Sequence, residues 1–286
     1  MLRFRRCYTA RSDVSPVPMK LSKLVPPPFR EFLRQRLTVY VYTYGFRPSR
    51  SISEQTFTFT DSGRSFSVKA DHRTALYDMI AEVVDYDCYQ LKKIEWEPGR
   101  DRCIVDIGAN VGVTALVLSQ IPGARVVCYE PDAGNCSFLR GNIERNGISN
   151  VNVVQAAVAD SDGALEFQID VESTGGRLVS AGAASSKAVV KVDTVSLSRV
   201  LEQFGDREID LIKCDCEGGE YTIIEQLTPA IAARIRNLFI EVHDLDSSHN
   251  LQTISAKLSS LGYKLSCIPD MWERSALHLL LARRSS

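Results

Sequence analysis

Apolar positions in this chain recur with two periods, and the way those periods alternate sets the fold. Short runs rich in Val, Ile and Leu lie near 103–107, 126–129, 151–155, 209–214, 237–242, 263–268 and 277–283. Near-continuous apolar runs of this length are what strands buried on both faces look like. Segments with helical spacing fall between them, near 113–120, 132–146, 196–204, 219–234 and 248–261. Such alternation predicts an α/β fold, a parallel sheet covered by helices on both faces. About eight residues separate the last two runs, too few for a helical crossover, so the final strand is expected to run antiparallel.

The first hundred residues read differently. Phe57-Thr-Phe-Thr60 alternates, Asp61-Ser-Gly63 is a turn signal, and Ser65-Phe-Ser-Val68 alternates again, which predicts a hairpin. A helix-like stretch follows, from Thr74 to Val84. Before it, residues 1–50 carry 11 Lys and Arg against only Asp13 and Glu31. Prolines at 16, 18, 26, 27 and 28 make residues 12–28 a poor helix and a flexible leader, with a short helix expected from Phe29 to Leu37. This basic arm reads as a solvated extension, with a patch for an acidic surface or phosphorylated substrate as the sharper alternative. The organisation is then an arm (1–50), a hairpin-and-helix subdomain (51–100) and a main domain (101–286). Within the main domain, Leu165–Ile169 and Ala188–Val192 look like extra strands bracketing a Gly-, Ala- and Ser-rich segment, 173–187. That segment is either a mobile loop near the ligand edge or a loose surface turn.

Bulk composition narrows the classes. A net charge of −1 gives no global case for nucleic acid, and no run approaches 18 apolar residues, so no transmembrane segment is expected. The start, Met1-Leu-Arg-Phe-Arg-Arg, lacks the apolar stretch of a secretory signal. Eight cysteines contain no Cys-x-x-Cys pair, and several sit in predicted strands, as reduced core thiols of a cytoplasmic protein would. Cys214-Asp-Cys216 is at most half of a metal site, so no metal ligand is assigned.

Chemistry concentrates in two stretches. In Ile104-Val-Asp-Ile-Gly-Ala-Asn-Val-Gly112, a short apolar strand brings Asp106 to its carboxyl end, and Gly108, Asn110 and Gly112 form a tight turn before a helix. Open α/β sheets hold ligands at that edge, where glycines let the backbone come close and a helix N-terminus offers N–H groups. The Gly-x-x-x-Gly spacing is not that of a dinucleotide site, and Asp106 would repel a pyrophosphate but attract an ammonium. The next strand, Val126-Val-Cys-Tyr-Glu-Pro131, ends in Glu130, whose carboxylate can accept both hydroxyls of a ribose. One acid for an amino group and one for a ribose suit S-adenosylmethionine better than NAD.

The second stretch is Ile209-Asp-Leu-Ile-Lys-Cys-Asp-Cys-Glu-Gly-Gly-Glu220, where a strand delivers Lys213, Asp215 and Glu217 before Gly218-Gly219 opens a helix. Asp215, Glu217 and Glu220 are expensive to bury unless they meet donors, cations or substrate. Helix capping explains Glu220 well and the rest of the cluster poorly, because one cap needs one acid. The following strand, Leu238-Phe-Ile-Glu-Val-His-Asp244, puts Glu241 and His243 on one side, and His243 there is either structural or catalytic.

Together with Asn142 and Asn146-Gly147, these motifs in this order resemble the FkbM family of S-adenosylmethionine-dependent methyltransferases, over residues 101–245. The resemblance implies a class I methyltransferase fold, Rossmann-like, with a seven-stranded sheet, an antiparallel last strand and an N-terminal extension. It also implies O-methylation of a hydroxyl on a sugar, glycan or secondary metabolite. By the same resemblance Asp106, Gly108, Asn110 and Gly112 line the methionine end of S-adenosylmethionine and Glu130 holds the ribose. Ala156 and Ala157 would flank adenine, and Asp215 would stand at the edge of the methyl-transfer site. Ala109 and Pro131 belong to the same cofactor-binding set. Two departures stand out: Val195-Ser-Leu-Ser198 where the family often has Thr-Leu-Asp, so no role for an Asp carries over there, and Gly219 where Ala is common.

Methyl transfer from a sulfonium is an in-line displacement in which the protein's main task is to align the acceptor. An alcohol gains from a general base, for which Glu217 and His243 are the candidates, with Asp215 orienting substrate or cofactor. The ordinary pKa of histidine favours His243. The acids could instead hold a divalent cation that polarises a diol. Two other classes are a methyltransferase acting on RNA or protein and a non-catalytic S-adenosylmethionine-binding module. The core lacks the clustered basic and aromatic residues of a nucleic-acid binder, and the intact Asp106, Glu130 and Asp215 favour cofactor binding.

Overall fold

A computed structural model describes residues 54–71, 73–91, 94, 96, 99–169, 176–178, 189–268 and 276–284. The basic arm, its expected helix and most of the 173–187 segment lie outside the described residues.

The predicted hairpin forms β1 (Glu54–Asp61) and β2 (Arg64–Asp71). Ser62 and Gly63 connect them with φ of 48° and 84°, the doubly left-handed turn whose twist matches paired strands. The helix expected over 74–84 is only half regular. α1 (Leu76–Ile80) widens into a π turn at Ala81–Asp85, where the Tyr86 N–H donates to the Ala81 carbonyl at 3.0 Å. Such turns are frequent at functional sites.

Strand and helix then alternate: β3 (Arg102–Ile107), α2 (Val113–Leu118), β4 (Ala124–Tyr129), α3 (Ala133–Arg145) and β5 (Val151–Val154). A side sheet follows, made of β6 (Ala157–Ala159), β7 (Gly163–Ile169), β8 (Gly176–Leu178) and β9 (Val189–Ser196). The chain returns through α4 (Leu197–Glu202), β10 (Leu211–Cys214), α5 (Glu220–Glu225), α6 (Pro229–Ala232), β11 (Asn237–His243), α7 (Leu251–Ser260), β12 (Tyr263–Ile268) and β13 (Leu277–Arg284). One helix expected over 219–234 is thus two. Pro229 disfavours helix at Thr228, whose side chain instead caps α6 by accepting from the Ile231 N–H.

The main sheet has seven strands in the order β12-β13-β11-β10-β3-β4-β5, with only β13 antiparallel. This is the class I methyltransferase sheet. The short link from β12 does force β13 to reverse, but β13 inserts between β11 and β12 instead of adding at the edge.

Every residue of β3 is buried, and alternate positions feed two cores. Ile104, Val126, Leu211 and Phe239 join a cluster that includes Phe59, Phe66, Leu76 and Leu116, so the hairpin shares a core with one face of the sheet. Val105, Val127, Ile212 and Leu238 join the cluster on the other face, with Leu201, Ile223 and Leu258. The hairpin is also held by two asparagines one turn apart, Asn142 in α3 and Asn146 at its C-terminal cap. Asn142 accepts from the Lys69 N–H at 2.8 Å and donates to the Lys69 carbonyl at 2.9 Å. Asn146 does the same with Ser67, at 2.9 and 2.8 Å. Their amides stand in for a neighbouring strand along the open edge of β2.

No described helix is long and apolar enough to cross a membrane. Among the described cysteines, Cys88, Cys103, Cys128, Cys136 and Cys214 are buried free thiols, as the sequence suggested, whereas Cys216 is half-buried and Cys267 exposed.

Candidate functional site

The strand register builds the site. Lys213 lies beside Asp106 on the adjacent parallel strand, and Asp215 follows two residues later. At the end of β3 the backbone turns through Gly108, Asn110 and Gly112, with φ of 75°, 49° and 94°. The N–H groups of Gly108 and Ala109 both donate to the Tyr129 carbonyl, at 3.0 and 3.1 Å. Glycine is compulsory at 108, because a Cβ there would stand 1.7 Å from the Asp215 carbonyl oxygen. The first turn therefore rests directly on the second.

A cavity of about 210 Å³ opens at this edge, several times the roughly 30 Å³ share of one water. Gly108, Ala109 and Asn110 line it from the first turn, and Glu130 and Pro131 from the end of β4. Ala156 and Ala157 line it from the junction of β5 and β6, and Asp215 and Glu217 from the end of β10. Three expected site residues stand elsewhere. Asp106 is fully buried behind the wall, Gly112 packs against Leu139 of α3, and His243 lies behind Glu217.

Glu130 is almost wholly buried and already engaged. One carboxylate oxygen accepts from the Asn110 N–H at 2.8 Å, the other from the Asp132 N–H at 2.9 Å. Burial still pushes its carboxyl up to about 7, against those hydrogen bonds. Further donors from a ligand would favour its charged form.

Lys213 is the hub, a role sequence reasoning did not give it. Its ammonium donates to the Gly108 carbonyl at 2.9 Å and lies 3.2 Å from both the Asp106 and the Asp215 carboxylates. The ammonium thus donates one hydrogen bond, to the Gly108 carbonyl, and forms ion pairs with the two carboxylates. Burial alone would lower the Lys213 pKa, but Asp106 and Asp215 outweigh it and hold the ammonium well above its ordinary value. Tyr89 closes the hub from the N-terminal segment. Its ring centroid is 5.5 Å from the Lys213 nitrogen, and its hydroxyl donates to Asp215 at 3.4 Å.

Glu217, His243 and Glu220 form a chain running away from the cavity. His243 Nε2 is 3.5 Å from Glu217 and Nδ1 is 3.2 Å from Glu220. Glu220 also accepts from the backbone N–H groups of His243 and Gly218, each at 2.8 Å. It is fully buried, so helix capping is not its main task. Burial would lower the pKa of His243, but the hydrogen bond and charge of Glu220, aided by Glu217 and Glu241, raise it to about 9. The ring is therefore a cation at neutral pH. Cys214 and Cys216 bring their sulfurs to 3.4 Å, which with burial keeps the Cys216 thiol protonated. Among the described residues, no group of three or more His, Cys, Asp or Glu is arranged to hold a metal ion.

The sequence profile of the methyltransferase FkbM domain matches residues 106–265, more than half of the chain. The chain belongs to the FkbM methyltransferase family. It is 26% identical over 235 residues to the 31-O-demethyl-FK506 methyltransferase FkbM of Streptomyces tacrolimicus, covering 72% of this chain and 88% of that one. It is 23% identical over 233 residues to the methyltransferase sdnD of Sordaria araneosa, covering 71% and 88%. Among solved structures, it is similar to the Thermus thermophilus 16S rRNA N2 G1207 methyltransferase in complex with AdoMet and guanosine, at a TM-score of 0.48 and 14% identity, covering 83% of this chain and 52% of that one.

Local geometry accounts for Gly219, and nothing in the structure explains Ser198 in place of the Asp. Ser196 caps α4 by accepting from the Arg199 N–H at 3.2 Å. At Gly219 a Cβ would meet the Cys216 carbonyl oxygen at 3.2 Å and its sulfur at 3.3 Å. The strand register alone could have found Lys213, a lysine two residues before Asp215 and beside Asp106 of the adjacent strand. Nothing in the sequence marked Tyr89, which arrives from a loop outside the family match.

Proposed function

We propose that this methyltransferase uses S-adenosylmethionine to methylate a hydroxyl on a small molecule, a secondary metabolite or a sugar. The observation that carries this reading is one cavity joining the buried Glu130 carboxylate to Asp215 and Glu217 across a turn too tight for any residue but glycine. The name of the Streptomyces relative, a 31-O-demethyl-FK506 methyltransferase, supports oxygen as the acceptor. The free thiols suit a reducing compartment such as the cytoplasm.

S-adenosylmethionine supplies an electrophilic methyl group when bound. The residues fit it. Glu130 would take ribose hydroxyls, Ala156 and Ala157 would flank adenine, and the backbone of Gly108, Ala109 and Asn110 would line the methionine part. Asp215, held by Lys213 and Tyr89, orients the acceptor. Glu217 would accept the hydroxyl proton as the C–O bond forms and the methyl carbon's bond to sulfur breaks, leaving the neutral thioether, because it faces the cavity while His243, already protonated, stands behind it. Calorimetric titration with S-adenosylhomocysteine tests the donor site, with Glu130→Ala expected to weaken binding at least about tenfold. Transfer of a labelled methyl group to hydroxylated macrolides and sugars, giving alkali-stable ethers, tests the acceptor. Failure of the native chain to bind the thioether would overturn the reading.

A further inference from the structure

We infer that Asp106 does not touch the methyl donor but serves as the buried counter-ion of Lys213, and that Lys213 is the positioning residue coupling the donor turn to the transfer edge. The inference rests on the donor reading above and deepens it.

Asp106 has no exposed surface and is not part of the cavity wall, whereas Lys213 is. Its carboxylate is paired with the Lys213 ammonium at 3.2 Å, and neither carboxylate oxygen has a hydrogen bond of good geometry. Burial drives the Asp106 carboxyl up, and the Lys213 ammonium opposes it. The same ammonium reaches the Gly108 carbonyl at 2.9 Å and Asp215 at 3.2 Å, so one charge sets the spacing between the two turns. A lysine serving two turns needs a negative charge of its own, or Asp215 would be consumed in neutralising it. Asp106 supplies that charge from the side away from the cavity. Asp215 then keeps its charge for the ligand.

The test is a double-mutant cycle with Asp106→Asn, Lys213→Met and the combined variant, read by thermal denaturation and by calorimetry with S-adenosylmethionine and S-adenosylhomocysteine. Either single change strands a buried partner and should lower the melting temperature by roughly 10 °C, while the combined variant, neutral and similar in shape, recovers most of it. The affinity ratio of the cationic donor to the neutral thioether adds a readout that a purely structural role would not move. Lys213→Met leaves one extra negative charge and should raise that ratio roughly threefold to tenfold. Asp106→Asn should lower it to a similar degree, and the combined variant should restore the native ratio.

Two results would overturn the inference. One is a further tenfold loss of both ligands when Asp106→Asn is added to Lys213→Met, since a direct contact would persist without the lysine. The other is additive melting losses in the combined variant. A native chain that binds neither ligand would sink the donor reading, and the denaturation cycle would still decide whether Asp106 is the lysine's counter-ion.

Discussion

The two turns at the sheet edge solve the same problem by different means. Both follow a buried parallel strand, both pass through left-handed backbone, and both open a helix. The turn after β3 is organised by backbone: its N–H groups go to the Tyr129 carbonyl and to Glu130, and its glycine is fixed by contact with the Asp215 carbonyl. The turn after β10 is organised by side chains, with its own Glu220 and with His243 and Tyr89 from elsewhere holding Glu217 and Asp215. The difference suits their proposed tasks. A shared donor can be held by a fixed backbone frame, while acceptor selection is adjusted through replaceable side chains.

The sharpest way to break this division is Gly108→Ala, because the turns meet there. The added methyl would sit 1.7 Å from a carbonyl oxygen at a residue with φ of 75°. Backbone strain and overpacking together are expected to cost about 3–5 kcal/mol, measured by chemical denaturation, with loss of thioether binding. A variant as stable as the native chain would mean the two turns are not in contact.

Glu220 carries the next largest effect, on the side-chain-organised turn alone. Glu220→Ala leaves the His243 and Gly218 N–H groups without their acceptor and should cost about 2–4 kcal/mol. The subtler Glu220→Gln keeps the shape and removes the charge. His243 has a folded-state pKa raised to about 9 from an ordinary 6.5, so its contribution is full below pH 6.5 and is lost as pH rises through 9. Native stability should therefore fall between those values by about 1–3 kcal/mol. In Glu220→Gln that slope should flatten, and NMR titration should move the His243 midpoint downward. An unchanged midpoint would show that Glu220 does not set the ring's charge.

The contrast also explains what the sequence revealed. Glycine spacing, the strand-end acids and the strand and helix periods are local, and they located the first turn, the seven strands and the cavity-lining Glu130. The roles within the second turn are not local. Glu220 looked like a capping acid because its partner His243 arrives on the next strand, and Lys213 became a hub only once β10 was set beside β3. The turn at Ala81–Asp85, which leads to Tyr89, reads as the end of an ordinary helix, and nothing local marks its widening. Asn142 and Asn146 carried the family resemblance without declaring a purpose. In the fold they bind the edge of β2.

That attachment gives a third prediction, away from the turn after β10. Asn142→Ala removes partners from the Lys69 backbone and from the Val111 carbonyl at the end of the first turn, at a cost of about 2–3 kcal/mol. Hydrogen exchange should localise the loss to β2 and the Val111 end of the first turn, with the turn after β10 protected as before. Loosening of the turn after β10 as well would mean that the hairpin braces the site through more than the Tyr89 segment.

The smallest expected effect probes the backbone-organised turn directly. Glu130 titrates at about 7, so at pH 7 about half of the molecules carry its proton. Ribose hydroxyls donating to the carboxylate would favour the charged form and lower that pKa. Binding of S-adenosylhomocysteine at pH 7 should then release up to about half a proton, and almost none at pH 9, where Glu130 is already ionised. Calorimetry in two buffers of different ionisation enthalpy measures the release, and Glu130→Gln should abolish it. Proton uptake on binding would have the wrong sign for hydroxyl donors at Glu130, and would assign the ribose to another part of the cavity.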